Sequence, residues 1–209
     1  MNSTAENRRP IKARSASWAQ AFARWLAQRS ITPNQISVAS IGFAALGAWL
    51  LWQQPSVIGW LGCAACIQAR LLCNLFDGMV AVEGGKRSAV GELYNEFPDR
   101  VADSLLLVAL GYASGWPWLG WFCALAAALT AYVRVSGGAW GFAQDFRGPM
   151  AKQHRMAVLT AACLIAVFEN MFNGSRYALR VAVIVIAVGA ALTCFTRTRA
   201  IAQQLKQAK

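Results

Sequence analysis

The chain has 209 residues, of which 57% are hydrophobic and 14% charged, with a formal charge of +11 and a mean hydropathy of +0.39. Soluble domains carry about 25% charged residues, so this composition belongs to an integral membrane protein. The basic residues sit between and beside apolar runs, and no basic strip is interleaved with stacking aromatics. That distribution points to anionic headgroups and phosphate-bearing substrates and argues against a nucleic-acid partner.

The N-terminal "MNSTAENRRPIKARSASWAQ" has no short apolar core followed by a small-residue cleavage site, so no cleaved signal peptide is expected. Residues 1–31 read as a basic N-terminal segment. Within it Trp18, Phe22, Trp25 and Leu26 recur at helical spacing, with Arg14, Arg24 and Arg29 for the wetter side. That pattern predicts a helix lying in the membrane interface; the plainer alternative is a disordered basic tail. Thr32 and Pro33 then supply an N-cap and a first-turn proline.

A hydrocarbon core about 30 Å thick takes roughly 20 apolar residues as helix. Such runs fall near 36–54, 57–80, 92–113, 115–136, 156–172 and 177–196, with short polar connections between them. Residues 32–196 are therefore expected to form a six-helix membrane domain, and 197–209 a basic cytoplasmic tail. Orientation follows from the basic residues in alternate loops. One side collects Arg8, Arg9, Lys12, Arg14, Arg24, Arg29, Lys86, Arg87, Arg147, Lys152, Arg155, Arg197, Arg199, Lys206 and Lys209, and the other only Arg176 and Arg180. The expected fold is thus all-α integral membrane, with six transmembrane helices preceded by an interfacial amphipathic helix and both termini cytoplasmic. The expected location is the bacterial inner membrane, with the active site facing the cytoplasm. Cys63, Cys66, Cys73, Cys123, Cys163 and Cys194 all lie in or beside apolar runs, so they read as small buried hydrophobes and not as a disulfide framework or zinc site.

Polar residues in the second and third spans break this apolar pattern. Asn74 and Asp77, three apart, share a helix face, and Arg70 extends it one turn deeper. The third span places Gly91, Asn95, Asp99 and Asp103 every fourth residue along one face. Two antiparallel helices joined by a short loop can turn these oxygen-rich faces toward each other. Hard divalent cations prefer such carboxylate and amide oxygens and complete their shells with substrate phosphates. Alternatively, Asp77, Asp99 and Asp103 pair with Arg70, Arg100 and Arg134 to hold the bundle together.

The run Asn74-x-x-Asp77-Gly78-x-x-Ala81-Val82, eight residues, then Gly91-x-x-x-Asn95-x-x-x-Asp99 resembles the CDP-alcohol phosphatidyltransferase signature, D-x-x-D-G-x-x-A-R, eight or nine residues, G-x-x-x-D-x-x-x-D. Further similarity lies in "ITPNQIS" and "AYVRVSGG". The resemblance implies a membrane enzyme of phospholipid synthesis. Such an enzyme transfers a phosphatidyl group from a CDP-linked lipid, expected to be CDP-diacylglycerol, to an alcohol and releases CMP. It further implies Mg²⁺ or Mn²⁺ on Asn74, Asp77, Asn95 and Asp99, nucleotide contacts at Gly78, Ala81 and Gly91, with Lys86 or Arg87 as the substitute for the motif arginine, a closing aspartate as general base, and a homodimer. Asn74 and Asn95 stand where the signature has aspartate, and Val82 where it has arginine. The first two changes remove negative charge from the metal ligands, and the third removes a phosphate contact.

Two registers are open. In the one without insertion, Asp99 is the base and Arg70 pairs with Asp103 beneath the metal layer. In the other, which shifts the closing pair to Asp99 and Asp103, Asp99 binds metal and Asp103 is the base. For the acceptor, Arg134, Lys152 and Arg155 are candidate phosphate contacts. A phosphorylated polyol such as glycerol phosphate or inositol phosphate follows if they bind phosphate, and a neutral or zwitterionic alcohol if they serve only topology. Two other readings are a non-catalytic lipid- or nucleotide-binding member of the same fold, motivated by Asn74, Asn95 and Val82, and a small transporter. The transporter is disfavoured because the two halves share no evident repeat.

Overall fold

The structure is a computed structural model describing residues 16–86, 88–172 and 174–208. Arg8, Arg9, Lys12, Arg14, Arg87 and Lys209, which entered the orientation argument, lie outside the described residues. Among the described residues the protein is helical and has no strand. The helices are α1 (Ser17–Gln28), α2 (Pro33–Gln53), α3 (Val57–Val82), α4 (Gly91–Ser114), α5 (Pro117–Ala139), α6 (Lys152–Phe172) and α7 (Tyr177–Gln207).

Local chemistry sets several of the boundaries. The Thr32 hydroxyl accepts from the Gln35 N–H at 3.3 Å while the Gln35 side chain accepts from the Thr32 N–H at 2.9 Å. This is a reciprocal cap, with Pro33 in the first turn. Ser56 caps α3 by accepting from the Gly59 N–H at 3.3 Å. Gly115, at φ 83°, ends α4 in the left-handed conformation that glycine adopts without strain.

Helices α2, α3, α5, α6 and α7 are long and apolar enough to cross a membrane. Helix α4 has 24 residues and so rises about 36 Å, but it carries Glu92, Glu96, Asp99, Arg100 and Asp103. Each apolar run of the sequence thus maps onto one helix. Helix α7, however, continues past residue 196 to Gln207 without a break.

Helix α2 packs on α3 and α4, α3 on α6, α4 on α5 and α7, and α7 also on α5 and α6. Their shared core includes Trp60, Ile67, Leu107, Leu159 and Ile186. Many large apolar side chains remain on the outside, among them Trp118, Phe168 and Phe172, as befits a surface meeting lipid. Helix α1 docks on α3 by burying Ala19, Ala23 and Leu26 against Phe76, Met79 and Val80. Trp18, Phe22 and Trp25 stay about half exposed, while Trp18 and Phe22 also touch the Phe76 ring at centroid distances of 6.2 and 4.7 Å. Leu26 therefore belongs to the docked face, not to the exposed aromatic one. The six cysteines are free thiols.

Helices α4 and α5 approach closely because glycine faces glycine. A Cβ at Gly120 would lie 2.7 Å from the Gly111 Cα and 2.8 Å from the Leu107 carbonyl oxygen, both backbone atoms. Small residues of this kind let membrane helices meet at backbone distance. Gly120→Leu is expected to push the helices apart and cost about 1–3 kcal/mol, as overpacking does. A lower thermal midpoint in detergent would register it, and an unchanged midpoint would show that the crossing tolerates separation.

Candidate active site

The start of α2, the end of α3, the start of α4, the end of α5, the start of α6 and the second half of α7 converge at one end of the bundle. Their polar side chains form two layers there. In the outer layer, Asp77 Oδ2 accepts a hydrogen bond from the Ser37 hydroxyl of α2 at 2.6 Å. Asn74, one turn deeper on α3, donates its Nδ2 to Asp99 Oδ1 at 2.9 Å, joining α3 to α4. The other Asp99 oxygen, Oδ2, lies 2.5 Å from the Lys152 ammonium of α6 and 3.7 Å from Arg100 Nη2. Asp77 is within Coulombic range of both Asp99 and Lys152.

In the inner layer, Asp103 receives Arg70 Nη2 on Oδ1 at 2.7 Å and Arg155 Nη2 on Oδ2 at 2.6 Å. Arg70 also reaches Asp99 Oδ1 at 3.5 Å, and Arg155 donates to the Met150 carbonyl at 2.8 Å. Asp103 and Arg155 are 1% exposed and Arg70 is 0% exposed. To one side Arg134 of α5 pairs with Glu96 Oε1 at 2.5 Å, donates to Gln144 and lies 5.3 Å from the Phe146 ring centroid.

Of the residues singled out in the sequence, the fold joins Asn74, Asp99 and Lys152 in one contact set and Arg70, Asp103 and Arg155 in another. Asn95 is exposed on the α4 face, Gly78, Ala81 and Gly91 are half-buried nearby, and Arg87 lies outside the described residues. The Lys86 ammonium donates to the carbonyls of Arg29 at 2.6 Å and Ile31 at 3.1 Å. It ties the α3–α4 connection to the α1–α2 connection beside a polar cleft of about 320 Å³ that Ser30, Thr32, Asn34 and Ser88 also line. Arg155, expected to meet an acceptor phosphate, is instead buried, with its guanidinium held between the Asp103 carboxylate and the Met150 carbonyl. Arg134 and Lys152 keep side-chain exposures of 10% and 23%.

The α5–α6 connection that delivers Lys152 is held from α7. Thr193 Oγ1 accepts the Met150 N–H at 2.9 Å, and Arg197 donates Nε to the Arg147 carbonyl at 2.9 Å and Nη1 to the Thr130 carbonyl at 2.8 Å. Gly148, at φ 121°, packs against Thr193, where a Cβ would lie 2.5 Å from Thr193 Cγ2. Reading 197–209 as a tail leaves Arg197 out of the site. Thr193 and Arg197, four apart on one helix face, are the sequence signal for it.

Asn74, Asp77, Asn95 and Asp99 offer only oxygen ligands, which suits Mg²⁺ or Mn²⁺. Asp99, however, is poorly placed to hold one. Among the described residues no three His, Cys, Asp or Glu side chains converge to hold a metal. Both Asp99 oxygens already have donors. A divalent ion about 4 Å from the Lys152 ammonium meets repulsion on the order of 8 kcal/mol at an effective dielectric near 20. In the inner layer the buried atoms that lack a hydrogen-bond partner are Arg70 Nε, Arg70 Nη1 and Arg155 Nε. All are donors, so the unmet demand of the inner layer is for anionic or water oxygen. Asp77, which accepts from the Ser37 hydroxyl and the Gly78 backbone N–H, is the carboxylate of the site with no basic group in an ion pair among the described residues.

No protein-family model matches the chain. The chain is similar to the phosphatidylinositol phosphate synthase of Streptomyces avermitilis, with 25% identity over 195 residues covering 90% of this chain and 79% of that protein. It is similar also to the archaetidylinositol phosphate synthase of Aeropyrum pernix, with 28% identity over 153 residues covering 72% and 76%. The fold matches crystal structures of Mycobacterium tuberculosis phosphatidylinositol phosphate synthase. The complex with manganese and citrate gives a TM-score of 0.75 at 19% identity, over 88% of each chain. The complex with CDP-DAG bound also gives 0.75, at 20% identity, over 89% of this chain and 94% of that one.

Proposed function

Because the chain belongs to the CDP-alcohol phosphatidyltransferase family of membrane enzymes, we propose that it transfers a phosphatidyl group from CDP-diacylglycerol to inositol phosphate or a similar phosphorylated polyol, releasing CMP. The observation that carries this reading is the meeting of α3, α4 and α6 at Asp99, where a carboxylate, an amide and a lysine surround one point at the polar end of an apolar bundle. The acceptor class is supported by Lys152, which contacts Asp99, by Arg134, which pairs with Glu96 one turn away from Asp99 on α4, and by the names of both relatives.

In this mechanism Asp99 takes the proton from the acceptor hydroxyl. The acceptor oxygen forms a bond to the lipid-side phosphorus as the bond from that phosphorus to the bridging oxygen breaks, and CMP leaves with the electron pair. Lys152 passes from Asp99 to the acceptor phosphate as substrate enters, freeing the carboxylate to act. Arg134, oriented by Glu96 and Gln144, binds the same phosphate. A divalent cation held at Asp77 would supply charge neutralisation for the pyrophosphate. Asp103 is the counter-charge of Arg70 and Arg155 and takes no proton.

We further propose that α4 is the sixth membrane span, its polar face turned to the other helices. Both termini and the site then lie on the cytoplasmic side of a bacterial inner membrane, supported by Lys86, Arg134, Arg147, Lys152 and Arg197 gathering at the site end. Assembly is as a homodimer.

The test is CMP release and lipid product from purified protein with Mg²⁺ or Mn²⁺, CDP-diacylglycerol and a panel of inositol phosphate, glycerol phosphate, inositol and serine. Acceptor-dependent CMP release with the phosphorylated polyols is expected. Its absence across the whole panel sinks the proposal. Arg134→Ala is expected to raise KM for a phosphorylated acceptor about 10- to 100-fold, the range for losing hydrogen bonds to a charged group, and to leave KM for CDP-diacylglycerol unchanged. Equal effects on both substrates would remove Arg134 from the acceptor side.

A further inference from the structure

We infer that Lys152 is a built-in cation that occupies Asp99 in place of a metal ion, so that the protein takes up one divalent cation only, at Asp77. This rests on the proposed active site, but it concerns what the resting protein binds and not what it turns over.

Charge is distributed unevenly over the cluster. The α4 acids Glu96, Asp99 and Asp103 are within 4 Å of five cations, Arg70, Arg100, Arg134, Lys152 and Arg155. That side of the site therefore already carries excess positive charge. Asp77, on α3, is the one carboxylate of the cluster with no basic group in an ion pair among the described residues, and its hydrogen-bond partners are the Ser37 hydroxyl and the Gly78 backbone N–H. The neutral amides Asn74 and Asn95 remove two further negative charges that a second ion would need. Asn74 also presents its Nδ2 to Asp99, so a donor stands on one oxygen and the Lys152 ammonium on the other.

Lys152 is placed there by the fold. It is the first residue of α6, after a connection fixed by Thr193 and Arg197, and Arg155 on the next turn is locked on Asp103. The ammonium thus lies over Asp99 before any substrate arrives. A lysine in this position has a property that a bound ion lacks, since it stays with the chain when chelator removes metal.

The experiment is Mn²⁺ titration of the purified full chain, with stoichiometry from elemental analysis and affinity from calorimetry or electron paramagnetic resonance. Helicity and thermal midpoint are recorded for every variant. Wild type is expected to bind one Mn²⁺ per chain, and Asp77→Asn none. Lys152→Gln, and more strongly Lys152→Gln combined with Asn74→Asp and Asn95→Asp, is expected to admit a second ion, while Lys152→Arg keeps the count at one. Two Mn²⁺ per wild-type chain would overturn the inference, as would a Lys152→Gln protein, folded by helicity, whose second-ion affinity does not rise at least tenfold. If Lys152→Gln does not fold, the wild-type count and the Lys152→Arg count decide alone. Because none of these readouts measures CMP release, the inference stands or falls separately from the proposed activity.

Discussion

Asp103→Ala is expected to destabilise the protein by about 3–5 kcal/mol, the cost of stranding a buried charge by removing its partner. The carboxylate serves two guanidiniums at once, Arg70 from α3 and Arg155 from α6. Both arginines are buried, and each already has a nitrogen without a hydrogen-bond partner. Neither can turn to water when Asp103 is lost. Total stabilities are typically 5–15 kcal/mol, so the change removes a large share of the whole. It should appear as low yield and a depressed thermal midpoint in detergent. Asp103→Asn, which keeps one acceptor oxygen but no charge, should fall between wild type and alanine. Replacing Arg70, Asp103 and Arg155 together by apolar residues of similar volume should recover much of the loss, as other buried ionic groups do. The outcome that breaks this account is an Asp103→Asn protein with wild-type stability and no turnover, which would make Asp103 the base.

The helices could be read from the sequence because each depends on local information. Apolar runs of membrane length mark them, and Thr32 with Pro33 marks the start of α2 through contacts three residues apart. The end of α7 was less legible. Hydropathy falls at Arg197 and Arg199, yet the backbone continues as helix to Gln207 because loss of apolar character reports depth in the membrane and not the end of a helix. In the site, spacing along α3 and α4 shows which residues share a face, but it carries no information about a third helix. The contacts of Lys152 with Asp99 and of Arg155 with Asp103 span 53 and 52 residues, and that of Ser37 with Asp77 spans 40. Such pairings depend on how α2 and α6 rotate against α3, which is set by core packing at Ile67, Cys163 and their neighbours. For the same reason a basic residue at the start of α6 looks like orientation signal in sequence and becomes a ligand of Asp99 in the fold.

Asp99→Asn is expected to lower kcat by about 10²- to 10⁴-fold, the range for loss of a positioned general base, while leaving the protein folded. The second half of that expectation comes from the geometry. An asparagine at 99 still offers an acceptor to Lys152 or Asn74, and Arg70 keeps its shorter contact, the 2.7 Å pairing with Asp103. The first half comes from comparing the two candidate bases. The Asp103 side chain is 2% exposed beneath two arginines, whereas the Asp99 side chain is 10% exposed and its Oδ2 meets a lysine that is itself 23% exposed. An acceptor hydroxyl can reach Asp99 if Lys152 yields, but reaching Asp103 requires breaking the inner layer. Steady-state CMP release at saturating CDP-diacylglycerol and acceptor is the measurement, beside a thermal midpoint and a Mn²⁺ titration. Retention of turnover within tenfold of wild type would remove Asp99 as base. A large loss of turnover with Mn²⁺ still bound at Asp77 would separate proton transfer from cation binding on two carboxylates that the signature alone treats as equivalent.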